Sequence, residues 1–416
     1  MQESLIDWLN YIGDIHSSAI DLGLQRIEPL AQKLNITHFR CSVITVGGTN
    51  GKGSVIKTLE SIYRTAGYRV AAYTSPHLLD FNERLVINGK PIDDAALITA
   101  FEKVEIVREQ QSLSFFEFTT LAILLICRDL KLDLLLLEIG LGGRLDAVNI
   151  VNSDLAIVTN VDLDHTQWLG DTREKIGFEK AGIYRRNKPA ICGDANPPQS
   201  LLNFAAENQV KLFCFERDYS FRENAFNWAW HGPDKSFHDL PFPRLKLQNV
   251  ATSIMAIELL GLPVSLSALQ EGIQQAHLPG RYEISQTKCK LIYDVAHNPQ
   301  GANYLAERLA AEPRLGQRYA VVGMLKDKDI AETVRPLIPH IDSWFVATLN
   351  EERGAQAALL TSHLTANSVG SCYNFNTVAA AMQKVFELCR AEDIVLIFGS
   401  FHTVADAKRF MQKGAP

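Results

Sequence analysis

Residues 46 to 55 read VGGTNGKGSV, three glycines and a fourth around one lysine, a composition suited to cradling a phosphate. The common phosphate-loop pattern has four residues between its first glycine and its Gly-Lys pair, with Ser or Thr directly after the lysine. Here Gly48 leaves two residues before Gly51-Lys52, Gly53 follows the lysine, and Ser54 is displaced by one place. The physics survives the shorter spacing. A glycine turn running into a helix supplies backbone N–H donors and a favourable dipole, and Lys52 adds one mobile cation. Thr49, Asn50, Gly51, Lys52, Gly53 and Ser54 are therefore the candidate phosphate ligands.

A polyphosphate also calls for a divalent cation held by hard oxygen ligands and water. In open parallel sheets ligands gather beyond the carboxyl ends of strands, so the polar residues at those ends are the candidates. Glu138 follows four leucines, Ser75 follows VAAYT, and His165 closes DLDH. By residue type Glu138 is the strongest; Ser-Pro also opens ordinary turns, and a strand-end histidine is more often structural. Lys180, in EKIGFEKAGIY, reads by spacing alone as a solvated helical lysine. Further on, YDVAHNP places Asp294, His297 and Asn298 just past a strand, where an aspartate can take ribose hydroxyls. Arg281 falls in LPGRYE (278–283), read as a connection between domains. A nucleotide held between two domains would couple binding to closure.

These residues need strands and helices to bring them together. SVITVG (42–47) reads as a buried strand entering the glycine loop. SVIKTLESIYRTAGY then places Val55, Ile56, Leu59, Ile62, Tyr63 and Ala66 at helical spacing, with Gly67 as the stop. RVAAYTS, LDLLLLEIG, DLAIVTNV and PAICG are further apolar runs of the kind that parallel strands covered on both faces show. Residues 215–246, rich in aromatics and turn formers, read as a small β excursion serving packing. From 289 the strand–helix rhythm restarts with CKLIYDVAHNP, RYAVVGM, DSWFVATL, SCYNF and DIVLIFGS. The expectation is an α/β protein: an N-terminal P-loop-type parallel-sheet domain over 1–284 and a smaller Rossmann-like domain over 285–416, the boundary falling near 280–288.

A chain of 416 residues is long enough for two such cores. A formal charge of −6 argues against a nucleic-acid-binding surface. The seven cysteines form no C-x-x-C pair and suit reduced core thiols of a cytoplasmic protein. The N-terminal MQESLIDWLNYIG lacks a signal-peptide pattern, and the apolar runs fall short of the roughly 18 residues of a membrane span.

Taken in order, GGTNGKGS, TSPHL…NERL…NG, FFEFTTLA, LEIGLGGRLDAVN, DHTQWLG, EKAGI, LPGR, DVAHNP, GMLKDKD and GSFHTVA closely resemble the bacterial dihydrofolate synthase/folylpolyglutamate synthases of the Mur ligase family. The resemblance runs from IDLGLQR at residue 20 to GSFHTVA at 399–405. It implies that Thr49 to Ser54 surround the ATP phosphates, and that Ser75, Glu138 and His165 hold Mg²⁺, with two ions expected. It further implies that Lys180 is carbamylated by CO₂, and that Asn249, Arg281 and Asp294 contact ATP. The pteridine-bearing substrate would lie against Ile20-Asp21-Leu22, Ser114-Phe115-Phe116-Glu117 and Leu145-Asp146-Ala147. Phe115 and Phe116 offer rings for stacking, and Asp21 and Glu117 offer acceptors to an aminopterin edge. His297 would stand near the incoming glutamate, whereas Lys326, Ser400 and His402 lie in matching motifs without an assigned role.

The implied chemistry is amide ligation: ATP activates a carboxylate as an acyl phosphate, and the amine of L-glutamate displaces phosphate. Lys52, Lys180 and His297 are the expected catalytic groups, and the acceptors are 7,8-dihydropteroate and reduced folates. The enzyme is expected to act as a monomer on small molecules, without nucleic acid or membrane. IDLGLQR and SFFE favour two activities over polyglutamylation alone. Two other readings stay open. One is a peptidoglycan-precursor ligase, against which only 47 residues precede Gly48. The other is a nucleotide switch, which would have no need of Lys180 or a pteroate pocket.

Overall fold

The computed structural model describes residues 2–18, 20–365 and 370–414. The chain divides into two compact units, Met1–His277 and Leu278–Pro416. The division lies ahead of the expected 284/285 boundary, and the reason is a strand. Glu283–Gln286 pairs antiparallel with Lys290–Tyr293, so the segment read as a connection already belongs to the second unit.

In the first unit an eight-stranded sheet is built from β1 (Ser42–Gly47), β2 (Val70–Tyr73), β3 (Leu85–Ile87), β4 (Lys90–Pro91), β5 (Leu134–Glu138), β6 (Leu155–Val158), β7 (Pro189–Cys192) and β8 (Lys211–Cys214). Their order is β4-β3-β2-β5-β1-β6-β7-β8. All neighbours are parallel except the β2-β3-β4 edge. From β1 the chain moves outward to β2, returns to β5 and then crosses to β6 on the far side. The end of β1 is therefore the point where the winding changes direction, the place where such sheets bind ligands. All five residues of β5 and the last five of β1 are buried, as two-sided coverage by helices demands.

The helix after the loop runs from Lys52 to Thr65 and buries Val55, Ile56, Leu59, Ile62 and Tyr63. Its stop follows the expected chemistry: Gly67, at φ +89°, sits just past the cap and donates its amide to Arg64 O at 3.0 Å. The excursion proves to be a three-stranded antiparallel sheet, β9 (Ser220–Glu223), β10 (Trp228–His231) and β11 (Ser236–Leu240). Trp228 and Trp230 are wholly buried, and the Trp230 indole donates to Ala251 O at 3.0 Å. The helix Leu247–Leu260 is thereby tied to this small sheet.

The second unit has six strands, β12 (Glu283–Gln286), β13 (Lys290–Tyr293), β14 (Arg318–Val322), β15 (Ser343–Ala347), β16 (Ser371–Phe375) and β17 (Ile394–Phe398). They lie in the order β12-β13-β17-β14-β15-β16, parallel but for β12. Among the described residues no helix is long and apolar enough to cross a membrane. All seven cysteines are free thiols, five of them buried.

Candidate active site

Gly51 caps the helix in the left-handed conformation, φ +86°, and Lys52 is already its first residue. The amides of Lys52, Gly53 and Ser54 thus occupy a first turn that has no intrahelical acceptors for them, the arrangement that binds anions. The first half of the loop is committed elsewhere. Thr49 N donates to Asn160 O at 3.0 Å and Asn50 N to the Asn160 side chain at 2.8 Å. Thr159 Oγ1 donates to Asn50 O at 2.6 Å, and Thr49 Oγ1 to Asp162 O at 3.1 Å. Thr159, Asn160 and Asp162, from the segment after β6, therefore clamp the loop; no sequence pattern pointed to them. Lys52 Nζ folds back onto Gly48 O at 3.1 Å and Thr49 O at 3.3 Å.

Two glycines are required by contact. Gly48 has φ +140°, and a Cβ there would lie 1.9 Å from Thr159 Oγ1; a Cβ on Gly51 would lie 2.7 Å from Asn249 Oδ1. The second clash shows that Asn249, nearly 200 positions later in sequence, packs directly on the loop. Gly48→Ala is expected to cost about 3 kcal/mol, from backbone strain plus overpacking, and to abolish thermal protection by ATP. Melting curves with and without ATP check both effects.

Ser75 and Glu138 come together: the Ser75 amide donates to Glu138 Oε2 at 3.2 Å, and Glu138 is 6% exposed. A carboxylate beside a hydroxyl-bearing residue is a hard oxygen set that fits Mg²⁺. His165 leaves the end of β6 in the left-handed region, φ 51°, with Nε2 3.9 Å from Asp164. β5, which ends at Glu138, and β6, after which the chain runs on to His165, flank β1 in the sheet. Among the described residues no group of three His, Cys, Asp or Glu side chains forms a metal cluster; the expected set contains only two such side chains and a serine.

Lys180 is buried at 3% exposure, in the helix Arg173–Ala181, and is not the solvated lysine that its spacing suggested. Burial, helped by the charge of Lys52, brings its amine down to about 7, against the pull of Asp164 and Asp146. Asp146 is itself buried, which pushes its carboxyl up to about 7, while amide donors and Lys52 favour the ion. Lys52, Asp146, Asp164 and Lys180 thus form one electrostatic group.

The acceptor-side segments also converge. Gly23 N donates to Leu145 O at 3.2 Å, joining the 20–22 segment to 145–147. The Phe116 ring lies where a Cβ on Gly140 would be, 2.6 Å away, and stacks on Tyr73 at 6.3 Å. Glu117 also has partners within the chain. It closes a capping box with Ser114, accepting the Ser114 amide at 2.8 Å, and pairs with Arg26 at 3.0 Å. Arg26 also pairs with Asp21 at 2.8 Å, and His16 Nε2 lies 3.2 Å from the same carboxylate. Arg26 and His16 were missed in the sequence; their partners lie up to 96 positions away.

In the second unit Arg281 and Asp294 are neighbours. Burial raises the Asp294 carboxyl and the Arg281 charge opposes it, while Asp294 accepts amides of Tyr282 and Ala296, each at 2.8 Å. The Arg281 guanidinium also lies over the Phe401 ring at 5.1 Å. His297 Nδ1 is 2.9 Å from Val295 O, so it carries the proton at that nitrogen. Lys326 Nζ donates to Glu352 O at 3.1 Å, His402 faces Glu351 at 3.3 Å, and Ser400 caps the helix Phe401–Gln412.

Residues 280–401 match the family model described as "Mur ligase, glutamate ligase domain". The dihydrofolate synthase/folylpolyglutamate synthase of Escherichia coli K12 is 43% identical over 401 residues, 96% of this chain and 94% of that protein. Its counterpart in Haemophilus influenzae is 40% identical, covering 97% and 96%. Among solved structures, E. coli FolC in complex with DHPP and ADP superposes with a TM-score of 0.96 at 42% identity, covering 99% of this chain and 98% of that one. A bifunctional folylpolyglutamate synthase/dihydrofolate synthase with Mn, AMPPNP and L-glutamate bound gives a TM-score of 0.93 at 41% identity, with the same coverage.

Proposed function

The chain belongs to the dihydrofolate synthase/folylpolyglutamate synthase family of Mur ligases, and from that premise we propose an ATP-dependent ligase that adds L-glutamate to 7,8-dihydropteroate and to reduced folates. The observation that carries the reading is the glycine loop: Gly51, at φ +86°, starts a helix at Lys52, so the first-turn amides and the lysine are set to hold a polyphosphate at the end of β1.

The acceptor carboxylate attacks the γ-phosphorus in line, giving an acyl phosphate and ADP. The glutamate amine then attacks the acyl carbon, and collapse of the tetrahedral intermediate expels phosphate. Lys52 and the amides of the helix's first turn stabilise charge on the transferring phosphoryl group. Magnesium, two ions in this reading, held through Ser75, Glu138 and His165, would neutralise the two anions that must meet. The buried Lys180 amine, brought down to about 7 by burial, is set up to take CO₂ and become a carbamate, an anion able to support the second ion. Asn249, Arg281 and Asp294 are assigned to the nucleotide and His297 to glutamate. Ile20–Leu22, Ser114–Glu117 and Leu145–Ala147 are assigned to the pteridine end. Monomeric, cytoplasmic action on small molecules belongs to the same proposal, supported by composition alone.

Assaying purified protein with ATP, glutamate and either dihydropteroate or tetrahydrofolate tests the reading. Turnover with both is expected. Turnover with tetrahydrofolate alone would leave a monofunctional folylpolyglutamate synthase, and ATP hydrolysis independent of any acceptor would overturn the ligase reading.

A further inference from the structure

Arg84 is a buried cation to which the mechanism above gives no task. It ends the short helical turn Phe81–Arg84 and is 9% exposed. Its backbone carbonyl accepts the Thr74 amide at 2.9 Å, which fixes it beside Ser75. The Nε donates to His77 Nδ1 at 3.0 Å. The guanidinium carbon lies 5.1 Å from the centre of the Phe81 ring and 5.6 Å from that of Phe115. Among the described residues no side-chain or backbone acceptor engages its two terminal nitrogens, and neither is sealed from solvent. No carboxylate of the chain forms an ion pair with it within 4.0 Å among the described residues, although burying a guanidinium without an anion is costly. Burial lowers its pKa, and the charges of Tyr73 and Glu138 raise it, so Glu138 is near but does not bond it.

The position of this charge matters. On one side is Phe115, at the start of the helix that carries Phe116 to the pteridine end. On the other are Ser75 and Glu138, beside the phosphate loop. A guanidinium fork with free terminal nitrogens recognises a planar carboxylate through two parallel hydrogen bonds. We infer that Arg84 binds the carboxylate end of the acceptor, holding it between the aromatic wall and the phosphate loop until phosphoryl transfer. This rests on the ligase reading and adds to it the residue that selects an anionic acceptor. Arg84 is a substrate-binding group here, with His77 setting the plane of its fork.

The test compares two probes: pteroate and its neutral carboxamide, titrated onto wild type, Arg84→Gln and Arg84→Lys in the presence of ADP and Mg²⁺. Wild type is expected to prefer the carboxylate by roughly tenfold to a hundredfold, the worth of a charge-assisted pair. Arg84→Gln should lose that preference, and Arg84→Lys should keep part of it through its charge. ADP affinity should be unchanged in all three. If Arg84→Gln does not fold by melting, Arg84→Lys carries the test. Full wild-type discrimination in any folded variant overturns the assignment, as does absence of discrimination in wild type. Failure of wild type to turn over either acceptor would instead sink the ligase reading, so the two outcomes are separable.

Discussion

Glu138→Ala is expected to reduce glutamate-dependent turnover about a thousandfold, since a bound metal supplies several kcal/mol of charge stabilisation in phosphoryl transfer. The side chain closes a strand of five buried residues and accepts the Ser75 amide, so its carboxylate is held by the sheet, not by a mobile loop. Glu138→Gln keeps the shape and one acceptor oxygen while removing the charge. It should fold as wild type and require at least about tenfold more Mg²⁺ for half-maximal turnover, because a coordinating charge is lost. Titrating Mg²⁺ and Mn²⁺ against turnover, with melting curves as a control on folding, separates metal binding from a packing defect. Normal activity of Glu138→Ala at ordinary Mg²⁺ would refute the metal assignment.

How much of this was readable in the chain depended on range. The strand SVITVG coincides with β1, because three buried apolar residues around a buried threonine, followed by a glycine turn, leave few alternatives. The edge hairpin β3–β4 was overlooked although it carries a local signal: Asn88-Gly89, both at positive φ, is the two-residue turn that joins such strands. β8 was hidden because KLFC is short and adjoins the aromatic segment that follows. The shortened spacing of the glycine loop makes sense once the helix is seen to begin at Lys52. The lysine and Ser54 are then both first-turn residues, and the upstream amides are consumed by Asn160.

The site was less legible wherever a role depends on partners distant in sequence. Glu117, expected to accept from the pteridine end, also accepts from Ser114 at its own helix start and pairs with Arg26. The S-x-x-E spacing is a capping box and was visible in SFFE; the Arg26 pairing was not. Arg84 appeared only as part of NERL, and its significance depends on burial that no one-dimensional pattern reports. Lys180 is the sharpest case. Its helical spacing suggested solvent, but its helix packs it down to 3% exposure in the field of a second lysine.

That placement makes Lys180→Ala the second large effect. A lysine whose amine titrates near 7 is neutral far more often at physiological pH than an exposed one near 10.5. Only the neutral amine attacks CO₂: the nitrogen lone pair bonds the carbon, a proton leaves, and an N-carboxylate results. Carbamylation would turn a neutral amine into an anion in the field of Lys52 and, in the proposed reading, give a carboxylate able to support a second ion. Removing it should lower turnover by about a hundredfold to a thousandfold, the range seen when one preorganised charge is deleted from a transition-state site. Acetate or propionate, filling the cavity with a carboxylate, should restore a measurable part of that loss, and chloride at equal ionic strength should not. Lys180→Met, which fills the space without charge, should stay inactive and resist rescue. Near-normal turnover of Lys180→Ala without added acid would remove the carbamate from the mechanism. Rescue by chloride as effective as by acetate would reduce the role of Lys180 to bulk charge.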